Sequence, residues 1–274
     1  MIDRRINPAN ERVAASYLRG QINTKLFLDG LLRQCLRGVT DLLDKPSGRR
    51  VTQLSLGEEL TVFEQKNGFA FVQSAKDDYC GYMDETLIAP RSKKSHWVSA
   101  LSSHLYPEAD LKKKNIGELY FCDEVEVINE DTGWSELRGG VFVPSCHLSK
   151  LTERFTSFIK VAELFLNSPY LWGGCSRSGI DCSGLIQIAL ISCGIKCPRD
   201  ADMQEDDLGY NVSVGDATTG DLIFWKGHVG ILTEPNVLTH ANAHHMAVFR
   251  EDLDLANKRI EKSGGGTITS VKRL

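Results

Sequence analysis

Three patterns of apolar and polar residues succeed one another along this chain. From residue 31 to about 91 the runs are short and alternating: Leu60-Thr-Val-Phe-Glu, Phe69-Ala-Phe-Val-Gln and Tyr79-Cys-Gly-Tyr-Met. Alternation with period two puts successive side chains on opposite faces of a strand. Asn67-Gly68, between the first two runs, is a hairpin signal because both residues tolerate positive φ. Pro90 closes the segment. Short strands at this spacing predict a small β-barrel. Residues 92–150 repeat the order. His96-Trp-Val begins it, an alternation runs from Leu119 to Asn129, and Asp131-Thr-Gly133 turns the chain. Trp134-Ser-Glu-Leu then returns it and Gly140-Val-Phe-Val-Pro ends it. The repetition predicts a second barrel.

From 151 the period becomes helical. Phe155, Phe158, Ile159, Ala162, Phe165 and Leu166 share one face, and Asn167-Ser-Pro169 stops the helix. A second helix is expected over about Ser183–Cys193, with Gly194 as its cap. Four strands follow, at Asp221–Trp225, His228–Thr233, Val237–Asn242 and Met246–Arg250. Helices followed by an antiparallel sheet make this part α+β. Residues 1–30 read as an N-terminal arm with one short helix around Glu11–Gly20; with few apolar residues, it is expected to pack on another domain. The expected organisation is an arm at 1–30, barrels at 31–91 and 92–150, and an α+β domain at 151–274.

Composition narrows the function classes. The 274 residues carry a net charge of −4 with both signs dispersed, so there is no basic stripe for nucleic acid. No apolar run approaches the ~20 residues that span a bilayer. The first twenty residues are polar and charged rather than a secretory signal, so the expectation is a soluble, cytoplasmic protein with no membrane partner. The eight cysteines then read mostly as small buried hydrophobes rather than disulfides. Cys193 and Cys197 with His244 and His245 lack a CxxC pair, so no metal and no cofactor is expected.

The chemistry concentrates in Tyr170-Leu-Trp172-Gly-Gly-Cys-Ser-Arg-Ser-Gly-Ile-Asp181-Cys182-Ser183-Gly. A Gly-rich loop ends where a helix begins, so Cys182 sits at a helix N-terminus. Unpaired N–H groups and the positive end of the dipole favour a thiolate there, and the same N–H groups suit an oxyanion. His228, at the start of a strand and flanked by glycine, is the natural base, and His240 on the next strand can hold its ring. A buried Cys in an apolar helix is usually packing, as Cys193 is, and a lone His is usually a satisfied polar residue. His244 and His245 compete with His240 for the third place.

The motifs Tyr170-Leu-Trp-Gly-Gly, Asp181-Cys-Ser-Gly-Leu, Pro198-Arg-Asp with Gln204, Gly220-Asp-Leu-Ile-Phe-Trp, His228-Val-Gly-Ile and His240-Ala occur in order over 151–250. Together they resemble the NlpC/p60 family of papain-like cell-wall peptidases. The two preceding units resemble bacterial SH3-type domains. The whole is similar to the γ-D-glutamyl-L-diamino acid endopeptidases of the dipeptidyl-peptidase VI type. The resemblance implies a papain-like catalytic domain behind two SH3-like β-barrels. It implies a cysteine peptidase that cuts the bond between γ-D-Glu and the diamino acid of murein peptides with a free N-terminal L-Ala, in cell-wall peptide recycling. It also implies Cys182, His228 and His240 as the catalytic set. Asp181 would bind the substrate ammonium, with a helix N-cap as its plainer role, and Ser183 would lie near the substrate backbone. Tyr170 and Trp172 would line the cleft, Tyr79 would reach it from the first SH3-type domain, and Glu58 would add a second acid. Cys80 stands where the family commonly has proline. The alternative is an endopeptidase or amidase on intact peptidoglycan. A binding module with a degenerate catalytic domain is opposed by the intact Cys182, His228 and His240.

Overall fold

The computed structural model describes residues 2–131 and 133–274. The chain divides into two compact units, Met1–Glu153 and Arg154–Leu274.

In the N-terminal unit seven strands form one antiparallel sheet in an open order. That order is Arg50–Leu54, Thr40–Leu43, Cys80–Asp84, Phe69–Ser74, Glu59–Lys66, Leu31–Cys35, Ile88–Ala89. Asn67 and Gly68 have φ of 54° and 83°, the paired positive values of a type I′ turn. The arm differs from expectation. Val13–Ala15 is a strand pairing in parallel with Leu26–Leu28, and only Ser16–Leu18 makes a single 3₁₀ turn. The reason is the consecutive apolar run: Val13, Ala14 and Ala15 are all buried, together with Ala9 and Leu18, against Phe63, Phe71 and Cys80. A helix would turn part of that run to solvent.

Residues 92–150 pair into three small antiparallel sheets. His96–Val98 lies between Glu124–Val125 and Leu148–Lys150; Ser102–Leu105 pairs Gly117–Tyr120; Trp134–Leu137 lies between Val127–Asp131 and Val141–Pro144. Val98, Leu119, Val125, Leu137 and Val143 form their core. The alternation from Leu119 to Asn129 is interrupted, because Asp123 accepts the N–H of Tyr120 at 2.8 Å and that of Leu56 at 2.7 Å, and Cys122 turns the chain with φ 70°. Of the expected turn at Asp131–Gly133, Thr132 lies outside the described residues.

The C-terminal unit is built on a six-stranded antiparallel sheet. Its order is Tyr210–Val212, Ser270–Arg273, Leu222–Trp225, His228–Glu234, Val237–Asn242, Ala247–Asp252. Four helices accompany it: α1 (Phe158–Leu164), α2 (Cys182–Ser192), α3 (Ala201–Asp207) and α4 (Leu253–Lys262). The short α3, the amphipathic α4 and the strands at Tyr210–Val212 and Ser270–Arg273 were not apparent in the sequence pattern. α1 is shorter than its periodicity suggested, since Ser157 caps it and leaves Phe155 outside. α4 lays Leu253, Ala256 and Ile260 on Ile223, Trp225, Leu232, Leu238 and Val271. α2 packs against α1 and the two central strands His228–Glu234 and Val237–Asn242. Its Leu185, Ile186 and Leu190 are fully buried, each contributing about 1.5–3 kcal/mol of transfer free energy. That anchorage fixes the helix start against the sheet. Among the described residues no helix is long and apolar enough to cross a membrane.

Candidate active site

The loop before α2 folds back through a small pairing of Cys175–Ser176 with Gly179–Ile180. It then lies flush on the first turn of the helix. A Cβ at Gly184 would stand 2.5 Å from the Gly174 carbonyl oxygen, so the close approach requires glycine there. Asp181 is the N-cap, its Oδ1 accepting the Gly184 N–H at 2.7 Å. Cys182 is the first helical residue and is buried. Its sulfur lies within hydrogen-bonding reach of the N–H groups of Ser183 and Val229. Val229 follows His228, so the helix start and the beginning of the His228–Glu234 strand meet at the sulfur.

The histidines form a chain. His228 Nε2 is 2.8 Å from His240 Nδ1, and His240 Nε2 is 2.8 Å from Glu251 Oε1. Arg259 of α4 bonds the same Glu251 oxygen. Antiparallel pairing makes this possible, because His240 and Glu251 lie on adjacent strands and Gly230 leaves room beside His240, whose Cβ would be 3.1 Å from a Cβ at that glycine. His245 makes other bonds, although its Nδ1 lies 3.8 Å from the same Glu251 oxygen. Its N–H is held by Asn242 Oδ1 at 2.8 Å and its ring stacks on Phe249 at 3.8 Å between centroids. Of the competing histidines, the structure brings His240 to His228.

Residues 167–260 match the NlpC/P60 family, and residues 42–88 match the bacterial dipeptidyl-peptidase SH3 domain. The C-terminal unit carries an NlpC/P60 domain. A γ-D-glutamyl-L-lysine dipeptidyl-peptidase of Bacillus cereus is 26% identical over 239 residues, 77% of this chain and 68% of the relative. Dipeptidyl-peptidase 6 of Lysinibacillus sphaericus is 31% identical over 116 residues, 42% of this chain; the match spans 43% of that relative, less than half its length. An NlpC/P60 family protein of Bacillus cereus has the same fold, at TM-score 0.75 and 20% identity, over 89% of this chain and 99% of that one. The SH3 match falls within the first of the two expected barrels.

Protonation in the NlpC/P60 domain differs from the thiolate expected at a helix start. Burial pushes the Cys182 thiol up to about 12, with the Asp181 carboxylate adding to the rise; the Val229 and Ser183 N–H groups and Arg199 oppose it without winning. Burial pulls His228 down to about 3, with His240 next in effect. The reason is magnitude. A helix terminus offers at most about 2 kcal/mol to a charge, whereas full burial shifts a group by ~3–5 pKa units, more than twice as much. The resting pair is therefore neutral thiol and neutral imidazole. Glu251 stays ionised. Burial works against its charge, but the bond from His240 and the nearby Arg259 hold its carboxyl below the usual range.

Asp181 is more heavily engaged than its cap role alone would make it. Oδ1 takes the Gly184 N–H and Arg199 Nη1 at 3.0 Å; Oδ2 takes the Gly173 N–H and Arg199 Nη2, both at 2.8 Å. A carboxylate has about four lone-pair positions, and all are filled, so the ammonium contact expected at Asp181 has no free acceptor. Ser183 likewise turns inward, its hydroxyl accepting from Arg199 at 2.8 Å. Tyr170 is half-buried, and burial, with the charges of Cys182 and Asp181 adding to it, pushes its phenol up. Trp172 is 68% exposed on the loop. Glu58 and Tyr79 are buried in the N-terminal unit. Glu58 is occupied there by Ser74 Oγ at 2.6 Å, the Ser55 N–H at 3.0 Å and Lys76 Nζ at 2.9 Å. Among the described residues no cluster of His, Cys, Asp and Glu suits a metal ion. Sequence reasoning missed Glu251, Arg259 and the part played by Arg199. The one available signal for Glu251 was a charged residue on the same face of its strand as Phe249, the residue opposite His240.

Proposed function

We propose that this chain is a cysteine peptidase that hydrolyses the bond between γ-D-Glu and the diamino acid of murein peptides carrying a free N-terminal L-Ala, in cell-wall peptide recycling. The observation that carries the chemistry is the meeting of the Cys182 sulfur with the Val229 N–H, one residue from a His228 whose Nε2 is held by His240. His240 uses Nε2 of His228, so Nδ1 remains to take the thiol proton. With the pair neutral at rest, that transfer accompanies attack of sulfur on the γ-carbonyl carbon of D-Glu. The resulting oxyanion is met by the backbone N–H of Cys182, since Asp181 takes the Gly184 N–H and the sulfur that of Ser183. His228, now an imidazolium, gives its proton to the leaving amine of the diamino acid, and the C–N bond breaks. A thioester of L-Ala-γ-D-Glu remains on Cys182. Water, deprotonated by the same His228 nitrogen, hydrolyses it and regenerates the thiol.

The substrate reading is supported by the relatives called dipeptidyl-peptidase and γ-D-glutamyl-L-lysine dipeptidyl-peptidase, names that describe release of a dipeptide at a γ-D-glutamyl bond. Residues 92–150 are proposed as a second SH3-type unit, by their repeat of short antiparallel strands. A role in recycling would put the enzyme in the cytoplasm. The test uses L-Ala-γ-D-Glu-L-Lys and L-Ala-γ-D-Glu-meso-diaminopimelate, each with a free and an N-acetylated amine, and mass spectrometry of the products. The expected result is release of L-Ala-γ-D-Glu from the free-amine peptides alone. Equal cleavage of acetylated peptides would move the protein to the alternative on intact peptidoglycan, and cleavage of none would overturn the proposal.

A further inference from the structure

We propose that Glu251 is a positioning residue: it sets the tautomer of His240 and, through His240, that of His228, so that the lone pair of His228 Nδ1 is left for the thiol. The inference rests on the reading of Cys182 and His228 given above, but the hydrogen-bond logic needs only the distances, an ionised Glu251 held by Arg259 and a neutral His240. An ionised carboxylate can only accept. The 2.8 Å bond at Glu251 Oε1 therefore requires the proton of neutral His240 on Nε2. His240 Nδ1 is then a bare acceptor. The 2.8 Å bond between it and His228 Nε2 requires the proton of His228 on Nε2. His228 Nδ1 is left without a proton, the state a general base needs. Without Glu251 the chain can run the other way. His240 would carry its proton on Nδ1 and donate it to His228 Nε2, and His228 would carry its own on Nδ1, facing the thiol with a donor. Arg259 supports the arrangement by bonding the same oxygen and keeping it turned to the histidines.

Two variants separate a tautomer role from a structural ion pair with Arg259. Glu251→Met removes the acceptor. Glu251→Gln keeps an acceptor oxygen that Arg259 can hold in place, but removes the charge. We expect Glu251→Met to lose roughly 10–100-fold in kcat with KM little changed, as fits loss of a charge-assisted hydrogen bond acting only in the chemical step. Glu251→Gln should recover most of that loss. If Gln is as damaging as Met, the residue acts by charge and the proposal is overturned. Long-range ¹H–¹⁵N correlation spectra of the histidines in the full chain at pH 7 give a readout that needs no substrate and no variant. In the unmodified protein both His228 and His240 should carry the proton on Nε2. A proton on Nδ1 of either ring would overturn the proposal, even if the peptides above are cleaved. If none of those peptides is cleaved, the spectra still decide the tautomers by themselves.

Discussion

Arg199 is a single side chain on which the whole start of α2 depends. It is 1% exposed and its partner Asp181 is 9% exposed. Although burial opposes its charge, the Asp181 carboxylate holds Arg199 firmly protonated. Two guanidinium nitrogens bond both oxygens of Asp181, at 3.0 and 2.8 Å, and one of them also bonds Ser183. Arg199→Met would leave a buried carboxylate with its counter-charge gone. Breaking such a pair costs about 3–5 kcal/mol, because the stranded charge keeps its desolvation penalty. Asp181→Asn in the same chain removes that stranded charge while its side-chain oxygen can still cap Gly184. The double variant should therefore be at least about 2 kcal/mol more stable than Arg199→Met alone. The assay is urea unfolding of the full chain, read by hydrogen exchange of the peptide covering 182–192. A loss below about 1 kcal/mol for Arg199→Met, or strict additivity in the double variant, would refute the assignment of this pair as the anchor of the helix start.

Other outcomes follow from the site. Cys182→Ala should abolish peptide hydrolysis and keep the fold, since a small side chain at a helix start leaves little cavity; residual turnover with a native circular dichroism spectrum would remove Cys182 from the chemistry. With its thiol pushed up to about 12, Cys182 should react with iodoacetamide at pH 7 more slowly than an ordinary thiol near ~8.5, gaining rate as pH rises, as peptide mass spectrometry can follow; a fast, pH-flat reaction at neutral pH would contradict the neutral pair. Burial holds folded His228 at about 3, below its ordinary 6.5, so its neutral form contributes stability above pH 6.5 that is lost as pH falls from 6.5 towards 3. His228→Phe should flatten that part of the stability profile by several kcal/mol, measured from urea midpoints between pH 7 and 4, and an unchanged slope would count against burial as the cause.

How far the sequence carries depends on whether a signal is local. The Asn67-Gly68 hairpin, the start of α2 at a Gly-rich loop and the four strands after 220 are local patterns, and they stand within a few residues of where the pattern put them. The N-terminal arm was misread because Val13-Ala-Ala is compatible with a helix until Phe63 and Phe71 are there to bury all three side chains at once. The Leu119–Asn129 alternation was broken by Asp123, whose partner Leu56 is 67 residues away. Within the site, Cys182, His228 and His240 announce themselves by residue type and spacing. Glu251 and Arg199 do not, because their roles come from a strand pairing and a loop return that place them beside residues 11 and 18 positions distant. The thiolate expectation failed for a related reason: the helix end is visible in sequence, but the depth of burial that outweighs it is not.

The central claim is that sulfur of Cys182 attacks the γ-glutamyl carbonyl with His228 taking the proton, and the thioester is its direct witness. Mixing the full chain with L-Ala-γ-D-Glu-L-Lys, quenching in acid within the first turnover, and mapping the adduct by peptide mass spectrometry tests it. The account predicts an L-Ala-γ-D-Glu acyl group on the peptide containing Cys182, absent from Cys182→Ala and much reduced in His228→Phe. Dipeptide release by the unmodified protein with no acyl group on Cys182 at any time in the first turnover, or with the adduct on another residue, would contradict it.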